Sequence, residues 1–306
     1  MNVTQPRLMV PEPGIAKPSA MEPRTLAEGS RAPLLQENER NEAAAFDQLA
    51  DQRDSGTLRT SEWTFSRYRS ATCGRPLYQA YPDRTFVYLG QNGFRGDDPL
   101  KPLKGVRVLD LGAGDGIWSV ILAEQGADVT SIEISPKQVE LARQRMRLHG
   151  LAWDARVGSA FSLGDQFPPE SFDLIFAQAV LHHLTWDLER VYDGMRHLLR
   201  TGGHATMSEP YCASARVRRM RERLSWLVPF DRESVDERPL NDDDLLPLSR
   251  MFPKVTVERF DFLAKFARRL FRSTYLERGF FRFDRFLLRS KTFRYLAGGV
   301  FIAAQK

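Results

Sequence analysis

The chain has 306 residues, 42% hydrophobic and 27% charged, ordinary proportions for a globular protein able to bury a sizeable core. Its net charge of +5 is concentrated as arginine in the last third, which admits a nucleic-acid or membrane surface as partner without requiring one. Cys73 and Cys212 are too few and too far apart for a disulfide framework or a thiolate metal site, so a reducing cytoplasm is the expected compartment. No apolar run approaches the ~20 residues of a membrane span. The first residues carry Pro and Glu where a signal peptide needs an apolar stretch, so no secretion is expected.

Residues 1–36 hold prolines at 6, 11, 13, 18, 23 and 33 with no apolar period, and read as a disordered tail. Order is expected from Asn38, with residues 37–104 forming an N-terminal helical lid and linker. There Ala43, Phe46, Leu49 and Ala50 share one helical stripe, and Thr60 or Ser61 caps a second helix carrying Trp63, Phe65 and Tyr68. Gly93 to Lys104 is a polar linker containing glycine and proline.

From Gly105 onward, strand and helix patterns alternate. An apolar strand at 106–111 runs into Gly112-Ala113-Gly114-Asp115-Gly116, then a helix at 116–125 closed by Gly126 and a strand at 128–134. Ser135-Pro136-Lys137-Gln138 supplies a cap, a first-turn proline and a capping-box glutamine to a helix that Gly150 ends. A short strand at 155–157, a strand at 172–177, a helix at 187–200 closing at Gly202-Gly203 and a strand at 204–209 follow. Strands separated by helices of this length build a parallel sheet.

A strand, a glycine turn and a helix place backbone N–H groups close to a ligand. A dinucleotide fingerprint G-x-G-x-x-G puts its third glycine at 117, where Ile117 stands. With G-x-G-x-G spacing, and Glu133 ending the second strand where a ribose hydroxyl is held, the pattern suits an adenosine-type ligand without a pyrophosphate.

These residues carry a family resemblance. Asp110-Leu-Gly-Ala-Gly-Asp-Gly, Glu133, Phe172-Asp-Leu-Ile, Leu181-His-His-Leu and Leu199-Arg-Thr-Gly-Gly resemble the successive motifs of class I S-adenosylmethionine-dependent methyltransferases, over roughly residues 105 to 210. The resemblance implies an α/β, Rossmann-like three-layer sandwich over 105–306, its seven-stranded sheet mostly parallel with an antiparallel last strand. It implies S-adenosyl-L-methionine as cofactor. Asp110 is then a cofactor-site residue, Gly112, Ala113 and Gly114 face the methionine portion, Glu133 takes the ribose, Ile134 the adenine face, Ser159 and Ala160 the adenine edge, and Gln178 the methionine end. Ser159 stands where many relatives carry Asp to accept the adenine amino group; a serine accepts more weakly, or Asp165 substitutes. Tyr68 and Arg69 are candidates for a lid.

Methyl transfer is an in-line displacement in which positioning dominates, and a hydroxyl acceptor gains from a base. His182 and His183 follow the fourth strand on the rim where open α/β sheets bind ligands. As neighbours in a loop they do not both face a pocket readily. Glu209, at the end of the fifth strand, is a candidate to hold an acceptor hydroxyl, act as base or pair with an arginine. His149, His197 and His204 read as structural, and no His, Asp or Glu spacing suits a metal.

The last third breaks the rhythm. A basic segment from Arg216 to Arg223 reads as a helix, and Asn241 caps another over 242–250. Strands are expected at 255–260 and from Gly298. Between them, as an insertion at 261–296, Arg278, Arg282, Arg285 and Arg289 make a basic helical stripe beside Phe280, Phe283 and Leu287. An interfacial membrane helix at an anionic surface, a lid over a hydrophobic acceptor, and a helix packed on its own domain all fit. Nucleic acid fits worst, because the aromatics cluster on one face instead of interleaving with arginine, and Gln178-Ala-Val-Leu replaces the Asn/Asp-Pro-Pro-Tyr-like tetrapeptide of amino-methylating relatives. The sequence therefore points to methylation of a small-molecule or lipid-like acceptor, oxygen favoured, in the cytoplasm and open to the inner face of a membrane. The alternatives are a non-catalytic cofactor-binding adapter and a methyltransferase acting on nucleic acid or protein.

Overall fold

Short apolar runs between glycine turns form seven strands in the computed structural model: β1 Arg107–Leu111, β2 Asp128–Glu133, β3 Asp154–Val157, β4 Phe172–Gln178, β5 Leu199–Pro210, β6 Lys254–Phe260 and β7 Gly299–Gln305. The structure describes residues 28–51, 85, 88–94, 101–223, 238–263, 279–280, 283–284, 286–290 and 293–306. The expected tail up to residue 27, the second helix at 60–68 and the lid candidates Tyr68 and Arg69 lie outside them, as does most of 261–296. By its internal contacts the chain divides into Met1–Asn38 and Glu39–Lys306; the sheet belongs to the second.

The strand order is β3-β2-β1-β4-β5-β7-β6. The first five are parallel, and β7 runs antiparallel to both β5 and β6. The sheet is therefore seven-stranded and mostly parallel with an antiparallel last strand, as the motifs implied. Because the order reverses beside β1, the carboxyl ends of β1 and β4 diverge and leave a crevice for a ligand.

Helices cover both faces. Here α1 is Glu28–Asp51, α2 Ile117–Glu124, α3 Pro136–His149, α4 Leu163–Gln166, α5 Leu188–Leu198, α6 Ala215–Arg223 and α7 Leu246–Met251. One face buries Val108, Leu122, Leu174 and Phe176, with Leu89 and Leu103. In α5 the stripe Leu188, Val191, Tyr192, Met195 and Leu198 is buried, each large apolar side chain contributing about 1.5–3 kcal/mol. Ser135 caps α3 through its bond from Gln138 N–H at 3.1 Å, and Gly150, at φ 60°, ends it. The capping box is incomplete, since Gln138 Nε2 donates instead to Phe46 O of α1 at 3.2 Å.

Two elements depart from the sequence reading. The helix expected over 187–200 stops at Leu198, and Gly202-Gly203 sit inside β5 instead of closing a helix. Leu199 pairs with Phe172 across an irregularity in the β4–β5 ladder, and Arg200 Nε reaches Asp173 Oδ1 at 2.5 Å. At Gly203 a Cβ would stand 2.9 Å from Arg200 O, so the strand start needs a glycine there. The first helix begins at Glu28, within the stretch read as tail, and Leu49 is 47% exposed, while Ala50 packs on Leu141.

Candidate cofactor site

At the carboxyl edge of β1, β2 and β4 the chain forms a cleft. Its floor is the glycine turn. Gly112, Gly114 and Gly116 have φ values of 69°, 53° and 77°, a left-handed region that strains side-chain-bearing residues. At Gly112 a Cβ would meet Val180 Cγ2 at 2.3 Å, so the turn and the loop after β4 touch directly. At Gly114 a Cβ would meet nothing, because that backbone faces open space.

Glu133 stands beside the turn, buried with 8% of its surface exposed. Its Oε2 accepts from Gly114 N–H and its Oε1 from Ser135 N–H, both at 3.0 Å. Burial raises its pKa, against the lowering by these N–H groups and that of Ile134, and the charge of Glu42 raises it further. Each carboxylate oxygen retains a lone pair, so the group can still accept two hydroxyls. Asp110 lies below the turn and does not line the cleft. It is buried and accepts from Ser119 Oγ at 2.5 Å, and burial pushes its pKa up to about 7 despite that bond. A clamp that the sequence did not reveal fixes the turn from behind. Arg145 of α3 donates to Asp115 O at 2.9 Å and to Asp115 Oδ2 at 2.7 Å, with both side chains buried.

The two histidines part company. His182 turns inward, with Nδ1 2.8 Å from Glu209 Oε2. Glu209 is fully buried and also accepts from the N–H groups of Val180 and Leu181, at 3.0 and 2.9 Å, and of His182 at 3.4 Å. Neither residue lines the cleft. Glu209 organises the turn Leu181–His183 and, through it, holds Val180 against Gly112. His183 does line the cleft, with Nδ1 2.9 Å from Glu42 Oε1 and its ring edge-on to Phe46 at 5.3 Å.

Glu39, Glu42 and Phe46, all on α1, close the cleft. Asp47 of the same helix accepts from Ser135 Oγ at 2.5 Å and from Lys137 N–H at 3.2 Å, and Asp51 pairs with Lys137 Nζ at 2.6 Å. Their spacing of three and four residues was visible in the sequence, but only the docking of α1 shows that this face meets a cavity.

Of the expected cofactor residues, Gly112, Gly114, Glu133, Ile134, Ser159 and Ala160 line the cleft. Ala113 is buried and directs its N–H to Ile132 O, and Gln178 lies outside the lining, its Oε1 buried without a hydrogen-bond partner. Gly158, Phe161, Ala179 and Val180 are lining residues that the motifs did not specify. Asp165 is exposed in α4 and not part of the lining. Among the described residues no group of three or more His, Cys, Asp or Glu could share a metal ion, and His204, expected to be structural, bonds Tyr88 Oη at 3.0 Å.

The donor set fits S-adenosyl-L-methionine. Backbone without a side chain at Gly114 lets a ligand approach closely, Glu133 suits a pair of ribose hydroxyls, and Ile134, Ala160 and Phe161 a flat ring. Three carboxylates line the cleft and no lysine or arginine does so among the described residues, which favours a cationic sulfonium.

Residues 108–203 match the protein family described as Methyltransferase domain. The ubiquinone biosynthesis O-methyltransferase of Xylella fastidiosa (strain 9a5c) is 37% identical over 107 residues, 35% of this chain and 43% of that protein. The one from Chelativorans sp. (strain BNC1) is 33% identical over 133 residues, 42% and 51% respectively. The chain thus spans about half the length of these curated relatives. Among solved structures, a SAM-dependent methyltransferase from Archaeoglobus fulgidus superposes with a TM-score of 0.47 at 18% identity, covering 72% of this chain and 100% of that one.

Proposed function

We propose that the chain methylates the hydroxyl oxygen of a small, lipid-like acceptor, with His183 as general base. The observation that carries this is the pairing of His183 with Glu42 at the wall of the cofactor cleft. When bound, S-adenosylmethionine supplies a methyl group whose C–S bond breaks, its electron pair passing to sulfur, as the acceptor oxygen forms the new C–O bond. The protein's part is alignment and proton removal. A carboxylate only accepts, so Glu42 keeps the hydrogen of neutral His183 on Nδ1 and leaves Nε2 as the basic nitrogen. Nε2 takes the hydroxyl proton, and Glu42 steadies the imidazolium that results. Glu209 and His182 act as positioning residues by fixing the turn that carries His183. The relatives named for O-methylation in ubiquinone biosynthesis support an oxygen acceptor and a lipid-like one.

A membrane-facing acceptor gains support from the C-terminal insertion. Phe283, Phe286, Phe293 and Tyr295 are 51%, 73%, 41% and 40% exposed, in a segment rich in arginine. Exposed aromatics flanked by cationic side chains suit an anionic lipid surface. No helix among the described residues is long and apolar enough to cross a membrane.

One assay tests both parts. The full chain is incubated with methyl-labelled S-adenosylmethionine and a panel of lipid-like phenols in anionic vesicles, and label in the lipid and sedimentation of the protein are read together. Label on a phenol oxygen and co-sedimentation that salt weakens are expected. The His183→Asn variant should lose ~100-fold in kcat with little change in KM. Absence of label sinks the acceptor class, and an unchanged kcat in the variant sinks the base.

A further inference from the structure

We propose that Glu39 is the hydrogen-bond acceptor for the exocyclic amino group of the cofactor's adenine, delivered to the site by α1 and held by Ser159. The proposal rests on the reading of the cleft as an S-adenosylmethionine site.

The polarity of the cleft fixes which end takes the purine. The side-chain-free backbone of Gly114 marks one end, where a ligand approaches closely, and Glu133, which takes the Gly114 N–H, marks the ribose. The remaining end is lined by Ile134, Gly158, Ser159, Ala160 and Phe161, a surface for a flat ring. An adenine amino group buried there needs an acceptor, because an unpaired donor costs its desolvation.

Ser159 is the weaker candidate because its hydrogen and one of its two acceptor lone pairs are already in use, and a neutral hydroxyl accepts less strongly than a carboxylate. Oγ accepts from Phe161 N–H at 3.0 Å, capping the turn Ala160–Ser162. Its hydrogen goes to Glu39 Oε1 in a very short contact. That bond anchors Glu39 on the purine end, where it is a lining residue. A carboxylate offers about four lone-pair sites, so one bond from Ser159 leaves acceptor capacity for an amino group. Asp165, the other acid near in sequence, is exposed and outside the lining. The site is thus completed by an element that precedes the methyltransferase domain in sequence, and its preference for an amino-bearing purine resides in that helix.

The helix has separate anchors. Asp47 holds Ser135 and Lys137, and Ala50 packs on Leu141, so removing the Glu39 carboxylate leaves α1 docked. The test is titration calorimetry of the full chain with S-adenosylhomocysteine and with its inosine analogue, in which a keto oxygen replaces the amino group and faces the carboxylate as a second acceptor. The wild type should favour the adenosyl ligand by ~10-fold or more. In Glu39→Ala the adenosyl ligand should weaken ~10-fold and the inosyl ligand should not, which abolishes the preference. In Glu39→Gln, whose amide can donate to the keto oxygen, the preference should shift toward the inosyl ligand. A wild type that binds both equally, or a Glu39→Ala variant that weakens both equally, overturns the proposal while leaving the cofactor reading intact. Failure of the wild type to bind either ligand overturns both.

Discussion

Two buried ionisable residues set opposite pH dependences. Burial, with the nearby charges of Lys254 and Arg200, pushes His204 down to about 4 from an ordinary 6.5. The unfolded chain therefore takes up a proton between pH 6.5 and 4 that the fold refuses, and stability falls as pH drops through that window. Asp110 has the reverse sign. The fold keeps its proton up to about pH 7, while the unfolded chain releases it near 4, so its contribution is present at low pH and lost as pH rises toward 7. A His204→Gln variant should lose less stability than the wild type on going from pH 6.5 to 4.5, by about 2 kcal/mol, in urea unfolding at each pH. Parallel curves for the two proteins would show that His204 is protonated in the fold.

At this scale the sequence was legible wherever the backbone itself sets the requirement. Gly112, Gly114 and Glu133 could be read because a left-handed turn and a strand-end acid are local demands. The division of labour between His182 and His183 could not. Only the burial of Glu209, behind the turn and on a different strand, decides that His182 faces inward.

Among the elements, α3 does more than cover the sheet. Through Arg145 it grips Asp115 inside the glycine turn, and through its capped first turn it holds Asp47 of α1. One helix thus braces both floor and cover of the cleft. Breaking a buried ion pair from one side leaves the partner charge stranded. The Arg145→Ala variant should lose about 3 kcal/mol of stability in chemical denaturation and bind S-adenosylhomocysteine more weakly. A loss under about 0.5 kcal/mol would mean that solvent replaces the pair at no cost. Arg145 escaped notice in the sequence because a basic residue on an amphipathic helix ordinarily faces water. The roles of Glu39 and Glu42 escaped for a related reason. On a helix read only for its apolar stripe they count as solvent-facing acids, and their place in the site follows from where α1 docks.

On the scale of the whole molecule, the alternation of strands and helices from Gly105 implied a parallel sheet, and the sheet order places a crevice at the carboxyl ends of β1 and β4. The misplaced boundary at Leu199 left that architecture untouched, since Gly202-Gly203 punctuate a strand as readily as a helix end. The cover comes from α1, ahead of the sheet strands, where an apolar stripe announces packing but no chemistry. The central claim is that the cleft over β1, β2 and β4 is a cofactor site centred on Glu133. Calorimetric titration of the full chain with S-adenosylhomocysteine tests it most directly. Saturable one-to-one binding is expected, weakened in Glu133→Ala by ~1–3 kcal/mol, or roughly 10- to 100-fold, with the unfolding temperature little changed. No binding by the wild type, or an affinity that Glu133→Ala leaves unchanged, would contradict the account.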